Sequence, residues 1–113
     1  MSKYYAKLWN ELNVDDDKER KKKYFYMVRE RFNRKKSPLD FMFIMRTTTN
    51  GMPRYNKNGE FNNSFHVTRN GIIPETLSNI ILEWSKLLNK YNVEFKCCSY
   101  ENIKPNINDF CYL

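Results

Sequence analysis

The segment "LDFMFIMRTT", Leu39 to Thr48, constrains this chain more than any other. It is apolar almost all round, so as a helix it leaves no face for water and belongs at the buried centre of a domain. Its edges are well marked. Ser37 is a natural N-cap, Pro38 fits the first helical position, and Asp40 supports the first turn. Thr47 to Thr49 weaken helix propensity and help to end the helix before Gly51. A chain of 113 residues has room for one modest core. Residues 1–113 are therefore expected to form a single domain.

Helical spacing recurs on both sides of this centre. Tyr4, Tyr5, Leu8, Trp9 and Leu12 predict a short first helix, which "NVDDD" breaks. The acidic triplet Asp15 to Asp17 suits the positive end of a second helix, over 18–33. Tyr24, Phe25, Val28 and Phe32 form its apolar stripe, and Lys21, Lys22, Lys23, Arg29 and Arg31 lie largely elsewhere, facing water or phosphate. Pro74 starts a long helix with the stripe Leu77, Ile80, Ile81, Trp84, Leu87, Leu88 and Tyr91.

Between these helices, "MPRYNKNGEFNNSF" reads as strand, turn, strand, with Asn58-Gly59 as the hairpin signal and Pro53 at a strand start or edge. Near the end, "VEFKCCSY" alternates as a strand and "DFCYL" begins another. The expected class is thus α+β: a small, mostly helical domain with a β-hairpin and a short C-terminal strand pair. An apolar run at Phe110 to Leu113 should either pair with a sheet or mark a lost continuation.

The net charge is +7, and its distribution matters more than its sum. Between Lys18 and Lys36 stand ten basic residues and two acidic ones. Such a concentration reads either as a solvated helix face or as the footprint of a polyanion binder. No apolar run approaches the roughly 20 residues needed to cross a bilayer, and no signal pattern opens the chain. A soluble protein of the cytoplasm, the host's if phage-encoded, without a membrane partner is the expectation. Cys97, Cys98 and Cys111 are an odd number without a disulfide framework, and they are expected as buried thiols.

Catalytic chemistry finds little support in these residues. His66 is the single histidine and has no evident orienting partner for a nucleophile. The carboxylates at Asp15 to Asp17 look like helix-entry sequence, and neither a phosphate-cradling glycine loop nor a metal-ligand cluster is present. The expectation is no enzyme, no cofactor and no metal. A binding module fits better. Arg54 could contact a guanine edge through two hydrogen bonds, and Asn50, Asn56, Lys57, Asn58, Asn62, Asn63 and Ser64 offer contacts to phosphate or bases. Lys21, Lys22 and Lys23 would add salt-dependent phosphate contacts. An ordinary asparagine-rich surface hairpin is the competing reading.

The run "YFYMVRERFNRKKSPLDFMFIMRTTTNGMPRYNKNGEFNNSF" resembles the target-recognition region of Dam-type N6-adenine DNA methyltransferases. In that family a segment like "RERFN" precedes a buried helix, an Asn-Gly and "RYNxxGEFNxPFG". The likeness continues to "FKCCSYENI" and "NDFCYL", which resemble the strand leading into the family's Asp-Pro-Pro-Tyr motif; it covers roughly residues 24–113. The resemblance implies that Arg54 matches the guanine-reading arginine and Asn50 a backbone-contacting asparagine. It also implies that Arg46 lies close to DNA. Departures are present: Thr49 replaces a wedging aromatic, Ser64 the proline, His66 the glycine, and Val67 an arginine, with Arg69 two residues later. The S-adenosylmethionine loop would precede residue 1, and Asp-Pro-Pro-Tyr would follow Leu113, so by resemblance the chain should neither hold the cofactor alone nor transfer methyl groups.

Three functions follow as expectations. The leading one is a stand-alone, non-catalytic binder, a phage or mobile-element counter-defence inhibitor of the anti-CRISPR or anti-restriction kind. Its partners would be duplex DNA, guide RNA or a defence nuclease complex. The alternative is one half of a split N6-adenine methyltransferase that binds DNA and needs a methyltransferase partner chain. The third is a truncated product without a role.

Overall fold

The computed structural model describes residues 1–112. Four helices appear in chain order: α1 (Ser2–Leu12), α2 (Lys18–Lys35), α3 (Pro38–Thr47) and α4 (Pro74–Lys90). Short 3₁₀ turns follow at Thr49–Gly51 and Tyr100–Asn102. The helix starts obey local chemistry. The Asp17 carboxylate accepts from the amides of Glu19 and Arg20 at 3.0 and 3.2 Å, capping α2. Pro38 and Pro74 occupy first-turn positions of α3 and α4. Ser37 stands at the N-cap of α3, but its hydroxyl makes no capping bond there.

The core draws on every helix. Tyr5, Leu8 and Leu12 of α1, Phe25, Val28 and Phe32 of α2, Phe43 and Ile44 of α3, and Leu77 of α4 are buried together. Phe61 and Phe65 complete it from the segment between α3 and α4. The central helix is less enclosed than its composition suggests: Phe41, Met42 and Met45 are half-buried and Arg46 is exposed. A polar cluster sits beside the aromatic layer. Arg31 donates to both carboxylate oxygens of Asp40 at 2.7 and 2.9 Å, and the Tyr4 hydroxyl donates to the same group at 2.9 Å. Burial pushes the Asp40 carboxyl up, yet these hydrogen bonds outweigh it and hold the group below its ordinary value.

The expected α+β class does not survive. Among the described residues there is no strand; the hairpin region contributes two isolated antiparallel bridges, Thr48 with Phe65 and Tyr55 with Phe61. Side-chain amides explain why. Asn56 Oδ1 accepts from the amides of Asn58 and Glu60 at 2.9 and 3.0 Å. Asn63 Nδ2 donates to the carbonyls of Thr49 and Met52 at 3.0 and 2.9 Å. Asn33 of α2 takes both the amide and the carbonyl of Phe61. Two ladder bonds form, from the Asn62 amide to the Arg54 carbonyl at 3.0 Å and from the Asn56 amide to the Glu60 carbonyl at 2.9 Å. The Glu60 amide and the Met52 carbonyl that would extend the ladder are instead held by the side chains of Asn56 and Asn63, and Pro53 has no donor to offer. The alternating sequence supports a tight Asn58-Gly59 turn, with Gly59 at φ 75°, but not a ribbon.

The C-terminal strand pair fails for a different reason. Val93 to Tyr112 is irregular apart from one 3₁₀ turn, and it has no neighbour to pair with among the described residues. Phe95, Ile107 and Phe110 are 80%, 99% and 93% exposed. Cys97, Cys98 and Cys111 are exposed too, which overturns the expectation of buried thiols. The radius of gyration is 17.2 Å, against about 13 Å for a compact chain of this length. No helix is long and apolar enough to cross a membrane among the described residues.

Candidate nucleic-acid interface

The polar segment between α3 and α4 is fixed at both ends. Thr47 closes α3 by donating to the carbonyl of Phe43 at 2.8 Å. The backbone then turns at Thr49–Gly51, where Asn50 and Gly51 both adopt positive φ, 56° and 59°. Such left-handed residues are favoured as glycine or asparagine. At the far end, Gly71 at φ +80° passes so close to α1 that a Cβ there would stand 3.0 Å from the Tyr5 hydroxyl. That hydroxyl donates to the Ile72 carbonyl at 2.7 Å, and burial pushes its pKa up to about 12, so it stays a donor across the accessible pH range.

This framing brings part of the expected site together. Asn50 borders two hollows. One is a groove of about 540 Å³ bounded by Phe41, Met42, Met45, Arg46, Gly51 and Arg69. The other is a small recess of about 70 Å³ shared with Thr49, Met52, Arg54 and Asn63. Arg46, Arg54 and Arg69 are all exposed, and none forms a salt bridge among the described residues. Three uncommitted guanidinium groups thus surround one left-handed asparagine. Lys57 and Asn58 are exposed at the tip of the turn.

Other expected residues have structural employment. Asn56 Nδ2 donates to the Glu60 carboxylate at 2.9 Å while its oxygen holds the turn. The Ser64 hydroxyl lies 2.9 Å from that of Thr49, and its carbonyl accepts from Thr48 Oγ1 at 2.8 Å. Lys22 and Lys23 are exposed, but Lys21 is only 4% exposed. Its ammonium donates to Asn70 Oδ1 at 3.0 Å and Asn13 Oδ1 at 3.4 Å, with Asp16 at 3.8 Å. The triplet of lysines therefore divides, one inside and two outside, because consecutive helical residues turn by a hundred degrees.

Two basic residues, one of α2 and one at its C-cap, make contacts that charge counting does not show. Arg29 Nη1 donates to the Asn63 carbonyl at 3.1 Å and Lys36 Nζ to the Gly59 carbonyl at 2.9 Å. Charge counting suggests phosphate contacts for such residues; their actual partners are carbonyls of the polar segment. No local sequence signal marks them, since their partners lie 34 and 23 residues away.

A profile of the D12 class N6 adenine-specific DNA methyltransferase family matches residues 3–113. The type II methyltransferase M.MjaIII of Methanocaldococcus jannaschii is 36% identical over 101 residues, covering 81% of this chain and 33% of that protein. The type II methyltransferase M.FokI of Planomicrobium okeanokoites is 31% identical over 91 residues, covering 78% of this chain and 14% of that protein. The chain thus spans a third or less of the length of these relatives. Both carry the name of an enzyme, which overturns the expectation that the chain stands outside enzyme function. The counter-defence expectation receives no support from either relative, and the match favours the alternative of a methyltransferase part. By sequence over nearly its whole length, the chain belongs to the D12 class N6 adenine-specific DNA methyltransferase family.

Proposed function

We propose that these residues form the DNA-gripping section of an N6-adenine methyltransferase, one half of a split enzyme whose methyl transfer is completed with a partner chain. The observation that carries this reading is the convergence of Arg46, Arg54 and Arg69 around Asn50 on a segment rigidly tied to the helical core. Unpaired guanidinium groups suit a phosphate backbone and a guanine edge. Arg54 is the proposed base reader; Asn50, Arg46, Arg69, Lys57 and Asn58 hold the backbone; Lys22 and Lys23 contribute longer-range attraction. Asn56, Ser64 and Lys21 act by shaping the loop.

The partner chain has a surface to meet. Trp84 and Leu87 on α4, and Tyr91, Phe95, Ile107 and Phe110 beyond it, are exposed apolar side chains on one continuous stretch of sequence. Exposure of so much apolar surface is a mark of an interaction site.

Fluorescence anisotropy with a labelled 20-base-pair duplex tests the reading. Affinity should fall steeply with salt, and Arg54→Ala should remove about 1–3 kcal/mol of discrimination between duplexes of different sequence. Absence of binding at low salt contradicts the DNA-gripping role. Equal discrimination by parent and variant removes Arg54 from base reading.

A further inference from the structure

Helix α2 and the return arm of the polar segment run alongside each other in opposite directions, and the contacts between them keep a regular register. Phe25 stacks near Phe65 with ring centroids 5.3 Å apart, and Phe32 meets Phe61 edge-on at 6.2 Å. Between and beyond these apolar pairs run three polar ones. Arg29 reaches the carbonyl of Asn63, Asn33 that of Phe61, and Lys36 that of Gly59. Residues 29 and 33 share one helix face, and 63 and 61 are alternate residues of the return arm. Lys36 and Gly59, both left-handed at φ 52° and 75°, meet just beyond the ends of these two runs. One face of the helix therefore does for this arm what a neighbouring strand does in a sheet.

Asn33 differs from the other two. Its Oδ1 accepts from the Phe61 amide at 2.7 Å and its Nδ2 donates to the Phe61 carbonyl at 3.1 Å. A primary amide carries a donor and an acceptor side by side, so it satisfies both groups of one peptide residue and no other residue in the same register. The next amide along, Asn62 N–H, donates to the Arg54 carbonyl at 3.0 Å. Phe61 is also the bridge partner of Tyr55, the residue after Arg54. The position of Arg54 thus depends on Asn33 through a single intervening residue pair. Extended chain that slips by one residue turns its side chains to the opposite face.

We propose that Asn33 is the positioning residue that sets the register of the DNA-reading arm, and so aims Arg54, without itself touching DNA. This inference rests on the DNA-gripping reading given above.

The experiment compares the parent with Asn33→Ala, and with Asn33→Gln, which retains both amide functions. The probes are a 20-base-pair duplex enriched by the parent from a randomised pool and a scrambled duplex of the same composition. Amide hydrogen exchange at Phe61 is followed in the free proteins, with helical signal as the check on folding. In Asn33→Ala the preference for the enriched duplex should fall roughly tenfold, as expected for two lost hydrogen bonds. Affinity for the scrambled duplex and its salt dependence should hold, and the Phe61 amide should exchange much faster. Asn33→Gln should recover most of the preference. An unchanged preference in Asn33→Ala overturns the inference, as does an equal loss on both duplexes. If the parent shows no preference while Asn33→Ala still frees the Phe61 amide, the DNA reading is at fault and the role assigned to Asn33 falls with it, leaving a structural clamp.

Discussion

Residues 1–73 and residues 74–112 carry similar apolar periodicity and end in opposite states. In the first region every expected stripe finds a cover: α1, α2 and α3 meet one another, and Phe61 and Phe65 close the remaining side. In the second, the stripe on α4 is buried only at its first member, Leu77; Ile80, Ile81 and Leu88 are half-covered, and Trp84 is 60% exposed. The difference teaches that periodicity identifies a face wanting burial and says nothing about what buries it. Where the cover lies within the chain, a core results. Where it does not, the face is left for another surface.

The comparison can be broken by substitution. Phe43→Ala, in the middle of the first region, should cost about 3–5 kcal/mol, whereas Phe95→Ala should change stability by less than about 0.5 kcal/mol. Urea denaturation of the two variants measures this contrast, and comparable losses would erase the distinction. Asp40→Asn should cost about 2–3 kcal/mol, since it removes the charge that pairs with Arg31 beside a buried carboxylate site.

The same group sharpens the pH behaviour of the first region. The folded-state pKa of Asp40 is depressed, so its contribution is present above the unfolded value of about 3.9 and is lost as pH falls through the folded value. A stability profile from pH 6 to pH 2 should therefore drop at the acid end in the parent and more shallowly in Asp40→Asn. Identical profiles would show that the ion pair is not linked to folding. The smallest effect belongs to the open face. Trp84→Ser should leave stability within about 0.5 kcal/mol of the parent while lowering the binding of an apolar dye such as ANS.

The helices were legible because their signals are local: Asp17, Pro38 and Pro74 mark starts within a turn of where they act. The strands were misread because alternation and an Asn-Gly turn do not reveal competition from side chains. Asn56 and Asn63 settle that competition, and Asn33 ties the return arm to α2 from 28 residues away. Of the residues proposed for the site, Asn50, Arg46, Arg54 and Arg69 are exposed and line adjoining hollows at the left-handed turn. The site was not legible at Lys21, because helix phase decides which lysine of a run is drawn inward, nor at Arg29 and Lys36, whose partners are distant carbonyls.

Peptide-level hydrogen exchange of the 113-residue chain, alone and with a 20-base-pair duplex, tests the central division of labour most directly. The account predicts new protection across residues 46–69 and none across 84–112, because the first stretch grips DNA and the second awaits a protein surface. Protection confined to 84–112, with residues 46–69 unchanged, would contradict it.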